Sequence, residues 1–146
     1  MTIIVVKGRA MAADGAQFSG GMMAPAKFPK IWRGPNGLLG LCGGAADCYR
    51  VYLWFKDGMD PLKKPLGLLT GDDAICGLLL DSEGLVWFID GRLILTPDNN
   101  PTSAGVTTAC AYAMGAMAQG ASAGEAVGLA VLGCVHVGPP VQVETL

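Results

Sequence analysis

The sequence predicts an α+β fold, a four-layer α/β/β/α sandwich with helices packed outside stacked antiparallel sheets, and three observations lead to it. The apolar patterns run in the order strands, helix, strands, two helices, strand. Residues 38–41 and 75–80 are nearly continuous apolar runs, as expected of strands covered on both faces. Asp81-Ser82-Glu83-Gly84 and Asp90-Gly91 are tight-turn sequences between the later strands, so those strands read as an antiparallel meander.

Each element has its own signal. Residues 2–6 form an apolar, β-branched run, Lys7-Gly8-Arg9 a turn, and residues 10–13 a partner strand, together a hairpin. Residues 14–21, rich in Gly and Ser, read as loop, and residues 28–32 as a short strand entered past Pro29. Gly34-Pro35-Asn36-Gly37 is a turn, followed by a buried strand at residues 38–42. Gly43-Gly44 then leads into a helix over residues 45–56, whose apolar side includes Val51, Leu53, Trp54 and Phe55 and which stops at Gly58. Residues 60–73, with Pro61 and Pro65, read as loop or a short irregular helix. Strands follow at 75–80, 86–89 and 92–95, and a polar loop at 96–102. Residues 104–137 are almost free of charge and could be mistaken for a membrane span. Gly120 has the place of a glycine closing one helix, and Ser122 with Glu125 has the spacing of a capping box opening a second that runs to Gly133. Gln119 and Glu125 would also lie near the middle of any span, which hydrocarbon penalises. Gly138-Pro139-Pro140 breaks the chain before a last alternating strand, residues 141–143.

At 146 residues the chain suits a single domain, residues 1–146. Ten Lys and Arg against twelve Asp and Glu give a net charge of -2, with no basic surplus to neutralise a phosphate backbone, so nucleic acid is not an expected partner. Charged residues make up only 15%, against roughly 25% in ordinary soluble domains, which points to a partly apolar surface and a homo-oligomer. The helix at 45–56 carries Tyr49, Tyr52, Trp54 and Phe55, enough to pack both inward and on a neighbour. Cys42, Cys48, Cys76, Cys110 and Cys134 are odd in number and include no C-x-x-C pair, and His136 is the one histidine; neither a disulfide framework nor a zinc site is expected. The opening residues lack the features of a secretory signal, so a cytoplasmic protein with reduced thiols is the expectation.

Several catalytic constellations are missing: G-x-S-x-G, G-x-x-x-x-G-K, G-x-G-x-x-G and H-E-x-x-H. What remains is a threonine behind a removable methionine, Asp14 at the end of the first hairpin, and a lysine approaching the next strand. A threonine hydroxyl is a poor nucleophile at neutral pH. A free α-amine on the same residue titrates at about 8 and can serve as its general base. A lysine held near that hydroxyl by a buried Asp would favour the developing alkoxide.

On these residues the chain resembles the N-terminal-nucleophile hydrolases of the proteasome β-subunit and HslV type. Leu38-Leu-Gly-Leu-Cys-Gly-Gly-Ala-Ala-Asp-Cys48 is similar to the segment in which a strand passes through two glycines into the first helix. Met11-Ala-Ala-Asp14 is similar to the end of the family's first hairpin, and Lys30-Ile31 to its lysine followed by a β-branched residue. Ile75-Cys-Gly77, Asp81-Ser-Glu-Gly84 and Tyr112-Ala-Met-Gly-Ala-Met117 fit in order, so the resemblance spans nearly the whole chain.

The resemblance implies Thr2 as nucleophile and base, Asp14 and Lys30 as the charge pair beside it, and the Gly43 N–H as oxyanion donor. Thr108 falls where the family has a serine near the amine, and Lys27 is the alternative to Lys30. Where the family carries an Asp and, three residues later, a Ser, this chain has Cys134 and Val137. A retained Met1 would turn the Thr2 amine into an amide and remove the base. Three readings follow: a cofactor-free threonine peptidase acting on peptides or unfolded proteins, a catalytically silent proteasome-like subunit for assembly or scaffolding, and an amidase for a small metabolite. The family also implies self-assembly into rings or stacked rings and raises the question of an unfoldase partner; no membrane association is expected.

Overall fold

The computed structural model describes residues 2–19, 22–25, 29–71 and 74–146 of the chain. Among these residues it is a mixed α/β structure of two main antiparallel sheets, a two-stranded ribbon and three α-helices. The first sheet grows from the N-terminal hairpin of β1 (Ile3–Lys7) and β2 (Ala10–Asp14), in the register Ile4↔Ala13 to Lys7↔Ala10. Strand β3 (Ala16–Ser19) and β4 (Met22–Pro25) pair with each other as a separate ribbon. The second sheet has five strands in chain order: β5 (Ile31–Gly34), β6 (Gly37–Cys42), β7 (Cys76–Asp81), β8 (Val86–Ile89) and β9 (Leu95–Asp98). Strand β10 (Thr102–Gly105) and β11 (Val141–Thr145) return to the first sheet and flank the hairpin, giving the order β10-β1-β2-β11. Helix α1 (Ala45–Lys56) follows β6; α2 (Thr107–Ala118) and α3 (Ala123–Gly133) follow β10.

Strand periodicity divides the interior into three cores, because alternate side chains of a strand point to opposite faces. Ile3 and Val5 of β1 pack with Ala109 and Ala113 of α2 and Ala126, Val127 and Ala130 of α3. Ile4 and Val6, one residue out of phase, pack between the sheets with Leu38, Leu78 and Leu80. The other face of the second sheet, Leu39, Leu41 and Leu79, meets Val51, Trp54 and Phe55 of α1. All four apolar residues of β1 are thus fully buried, which is why that strand reads as a continuous run instead of an alternating one.

The helix ends follow their sequence signals. Ser122 and Glu125 form the full capping box of α3, and Gly120 follows α2 at φ 102°. The Lys7 ammonium donates to the carbonyls of Met117 (3.2 Å) and Ala121 (2.6 Å), placing a cation where the end of α2 leaves carbonyls without helical partners. Among the described residues no helix is long and apolar enough to cross a membrane.

Several boundaries differ from expectation. Residues 16–19, expected as loop, form β3. Of the strand expected at 28–32, residue 28 lies outside the described residues and the observed strand is Ile31–Gly34. The strand expected at 92–95 begins instead at Leu95. The Asp90 carboxylate accepts from the Arg92 and Ile94 amides, and Leu93 adopts φ 57°, so the turn after β8 extends through Ile94. Pro97 sits in β9 without penalty because that strand is a sheet edge. The polar stretch 96–102 therefore ends one strand and starts another. Residues 61–63 form a 3₁₀ turn capped by the Asp60 side chain, and residues 72 and 73 of the expected loop lie outside the described residues.

Candidate active site

The buried carboxylate of Asp14, the last residue of β2, organises the site. It is fully shielded from solvent and accepts four hydrogen bonds from described residues. Oδ1 accepts from the Ile3 amide and the Lys30 ammonium, both at 2.9 Å; Oδ2 accepts from the amides of Ala16 (3.3 Å) and Gly138 (3.2 Å). Burying an ionised carboxylate is costly unless it is paired and hydrogen-bonded, and here one cation and three backbone donors meet that need. The Lys30 side chain is itself only 11% exposed. Because one oxygen holds both groups, the ammonium lies within twice 2.9 Å of the amide that directly follows Thr2.

Thr2 is half-buried at the head of β1. Its carbonyl accepts from the Val106 amide (3.0 Å), which ties it to the β10–α2 junction. Gly105 makes this approach possible: a Cβ there would stand 2.0 Å from the Thr2 carbonyl oxygen, and its φ of 117° disfavours any L side chain. The same Cβ would lie 3.1 Å from the Cys42 sulfur, so the end of β6 adjoins this corner. Gly43 comes next, at φ 130°, exposed and packed against Ile75; a Cβ on it would be 3.1 Å from the Ile75 Cα. Gly44 is the N-cap of α1, where backbone N–H groups lack helical partners.

The structure thus gathers Thr2, Asp14, Lys30 and, through Cys42, Gly43 around one corner. Thr108 is exposed on the first turn of α2, and it is the Val106 amide of this segment that bonds Thr2. Lys27 lies outside the described residues. Cys134 and Val137 are buried in the apolar core beneath α2 and α3, and His136 is exposed. That segment reaches the site through its backbone instead: the Gly138 amide donates to Asp14 and the Gly138 carbonyl accepts from Gly15 (2.9 Å).

Sequence reasoning also missed Gln142. Its Oε1 accepts from the amides of Lys30 (2.9 Å) and Ile31 (3.2 Å), and its Nε2 donates to the Ile31 carbonyl (2.9 Å). A side chain of β11 in the first sheet thereby bonds the outer edge of β5 in the second and fixes the backbone at Lys30, where the chain enters that strand. The alternation of Val141, Gln142 and Val143 marked Gln142 as facing opposite to its neighbours, the one available hint.

Cys42 brings a thiol to the same corner. Cys42 and Cys76 are hydrogen-bonded to each other, which holds the Cys76 thiol below its usual range and, with burial, pushes Cys42 well above it. Burial, with the neighbouring Asp47 carboxylate, pushes Cys48 up to about 12, and burial also raises Cys110. Among the described residues no group of three or more His, Cys, Asp or Glu is placed to hold a metal ion.

No protein-family model and no curated protein matches the sequence. Solved structures do match over its full length. BPH from Thiobacillus denitrificans is similar at a TM-score of 0.75, covering 100% of this chain and 97% of its own at 18% identity. The same protein in complex with epoxomicin gives a TM-score of 0.75 and 18% identity, over 100% and 98% of the two chains. Eukaryotic HslV from Trypanosoma brucei gives 0.70 and 17% identity over 99% and 98%. The chain has the HslV and proteasome-type fold from end to end.

Proposed function

We propose that residues 1–146 form a single domain of the four-layer N-terminal-nucleophile hydrolase type and act as a proteasome-like threonine peptidase. One observation carries this reading: a single buried oxygen of Asp14 holds both the Lys30 ammonium and the amide following Thr2, each at 2.9 Å. The order of the three cores, helices on sheet, sheet on sheet, sheet on helix, supports the four-layer assignment.

In the proposed reaction Met1 is removed and the freed α-amine of Thr2 takes the Oγ proton as Oγ attacks the peptide carbonyl. The Lys30 cation favours the neutral form of that amine and the forming alkoxide, and Asp14 holds Lys30 in place. The Gly43 N–H donates to the oxyanion. Collapse expels the leaving amine, which takes the proton from the Thr2 ammonium, and water, deprotonated by the same amine, resolves the ester. Thr108 is assigned a supporting part near that amine. The scheme uses side chains and backbone alone and needs no cofactor.

Peptides or unfolded proteins are the proposed substrates. Self-assembly into rings is proposed from the exposed Tyr49 and Leu53 on α1 and from a shallow apolar groove of about 540 Å³ between α2 and α3, lined in part by Tyr112, Leu129 and Leu132. Docking of an unfoldase on such a ring and a cytoplasmic location belong to the same reading.

A second reading, a silent subunit serving assembly, is favoured by Cys134 and Val137, which pack into apolar core where the resemblance leads one to expect polar support. The test is hydrolysis of a fluorogenic peptide panel by protein shown by intact mass to begin at Thr2, with Thr2→Ala as control. Turnover lost in T2A with assembly intact supports the peptidase. Equal turnover in both overturns it, and no turnover in the processed wild type selects the silent subunit.

A further inference from the structure

Strands β6 and β7 run antiparallel with Cys42 directly opposite Cys76 at the last rung of their ladder. Directly opposed residues send their side chains to the same face, here the one bordering the core between the sheets. Opposed Cα atoms in antiparallel pairs stand about 4.5–5.5 Å apart, within the roughly 4.4–6.8 Å that disulfides span. The two thiols are free and hydrogen-bonded to each other. Their exposure is unequal: Cys42 is 7% exposed, whereas Cys76 is only partly buried.

The other thiols are placed differently. Cys48 lies in the core under α1 and Cys134 in the core under α2 and α3; Cys110, on α2, has Ser103 as its hydrogen-bond partner. The proposed peptidase chemistry uses none of the five.

We propose that Cys42 and Cys76 form a peroxide-reactive dithiol site, which a hydroperoxide converts to a cross-strand disulfide. Cys76, reachable from solvent, attacks one peroxide oxygen as a thiolate. The O–O bond breaks, and with the thiol proton the other oxygen leaves as water, or as an alcohol from an organic hydroperoxide. The Cys42 sulfur then attacks the Cys76 sulfenic acid, the S–O bond breaks, and a second water leaves with the Cys42 proton. Two thiols are oxidised, one peroxide is reduced, and a thiol reductant reverses the bond. The pair stands where the chain continues into Gly43 on one strand and comes from Ile75 on the other, so the disulfide staples the two segments that pack against each other at the proposed oxyanion loop.

The test treats the intact protein with hydrogen peroxide, blocks the remaining thiols, and maps disulfide-linked peptides by mass, with dithiothreitol reversal. The expected result is one linked pair, Cys42 with Cys76, formed as two free thiols are lost per peroxide. It should persist in Cys110→Ser and vanish in Cys76→Ser. A bond mapped to any other pair, oxidation of Cys76 to sulfinic acid with Cys42 still free, or both thiols left unreacted while the protein stays folded overturns the proposal. Mapping the wild type decides the matter even where a variant misfolds. None of these readouts depends on peptide hydrolysis, so this proposal and the peptidase reading fail separately.

Discussion

Replacing Asp14 by Asn keeps the shape of the side chain and removes its charge. The wild-type carboxylate offers acceptors to four donors, whereas an amide has one oxygen and an NH2 group that must face two of them. With the oxygen toward Ile3 and Lys30, the NH2 group confronts the amides of Ala16 and Gly138. In the opposite orientation it confronts a lysine ammonium that is only 11% exposed. Either way a buried cation loses its counter-charge. Removing one partner of a buried ion pair costs about 3–5 kcal/mol. At this chain length each kcal/mol lowers Tm by roughly 2–4 °C, so the expected fall is on the order of 10 °C. Urea denaturation followed by circular dichroism measures the loss, and Lys30→Met completes a double-mutant cycle. D14N combined with K30M should lose clearly less than the two single losses added. A D14N loss below about 1 kcal/mol, or strict additivity in the cycle, refutes the argument that this pair is the buried electrostatic centre of the site.

Three further outcomes are expected. Gln142→Ala removes three hydrogen bonds from the Lys30–Ile31 backbone and should cost about 2 kcal/mol in the same urea assay; an unchanged midpoint contradicts the positioning role. Gly105→Ala meets both a steric block at the Thr2 carbonyl and a backbone strain of about 1–3 kcal/mol, and faster hydrogen exchange at the Val106 amide reports the loosened contact. Cys76 reacts as the thiolate, whose fraction rises with pH, and its hydrogen bond from Cys42 shifts that rise downward. Its iodoacetamide labelling should therefore be half-maximal below the roughly 8.5 of a free thiol, with Cys48 unlabelled over the same range, and labelling of Cys76 no earlier than Cys110 would be the opposite result.

The parts of the fold legible in the sequence are those whose signal is local. Helix α1 matches its expected bounds, and Ser122 with Glu125 marks the start of α3 as the capping geometry requires. The short strands were legible only in part. Strand β10 has four residues, two of them polar, and exists because β1 offers it a free edge; nothing within Thr102–Gly105 states that. The start of β9 depends on how the Asp90 side chain closes the preceding turn. The site divides in the same way. Asp14 and Lys30 could be picked out beside a resemblance, but Gln142 and the Gly138 amide act across separations of more than 110 residues, and no spacing rule links them to Lys30 and Asp14. Gly43 was legible as a glycine pair before a helix; that its neighbour Cys42 touches the Gly105 corner is a tertiary fact.

The Gln142 clasp and the Gly138 amide also bear on the order in which a growing chain can be completed. Asp14 and Lys30 are made well before their partners: the Gly138 amide lies 124 residues after Asp14 and the Gln142 clamp 112 residues after Lys30. A nascent chain still lacking β11 has an unpaired edge along β2 and a lysine whose strand is not yet fixed. Contacts of such long sequence separation form late, because their loop-closure entropy must first be overcome. The charge pair therefore takes its final geometry only once the segment carrying Gly138 and Gln142 has been made and can reach it. Ribosome-bound intermediates ending before residue 138 would carry an unfinished centre.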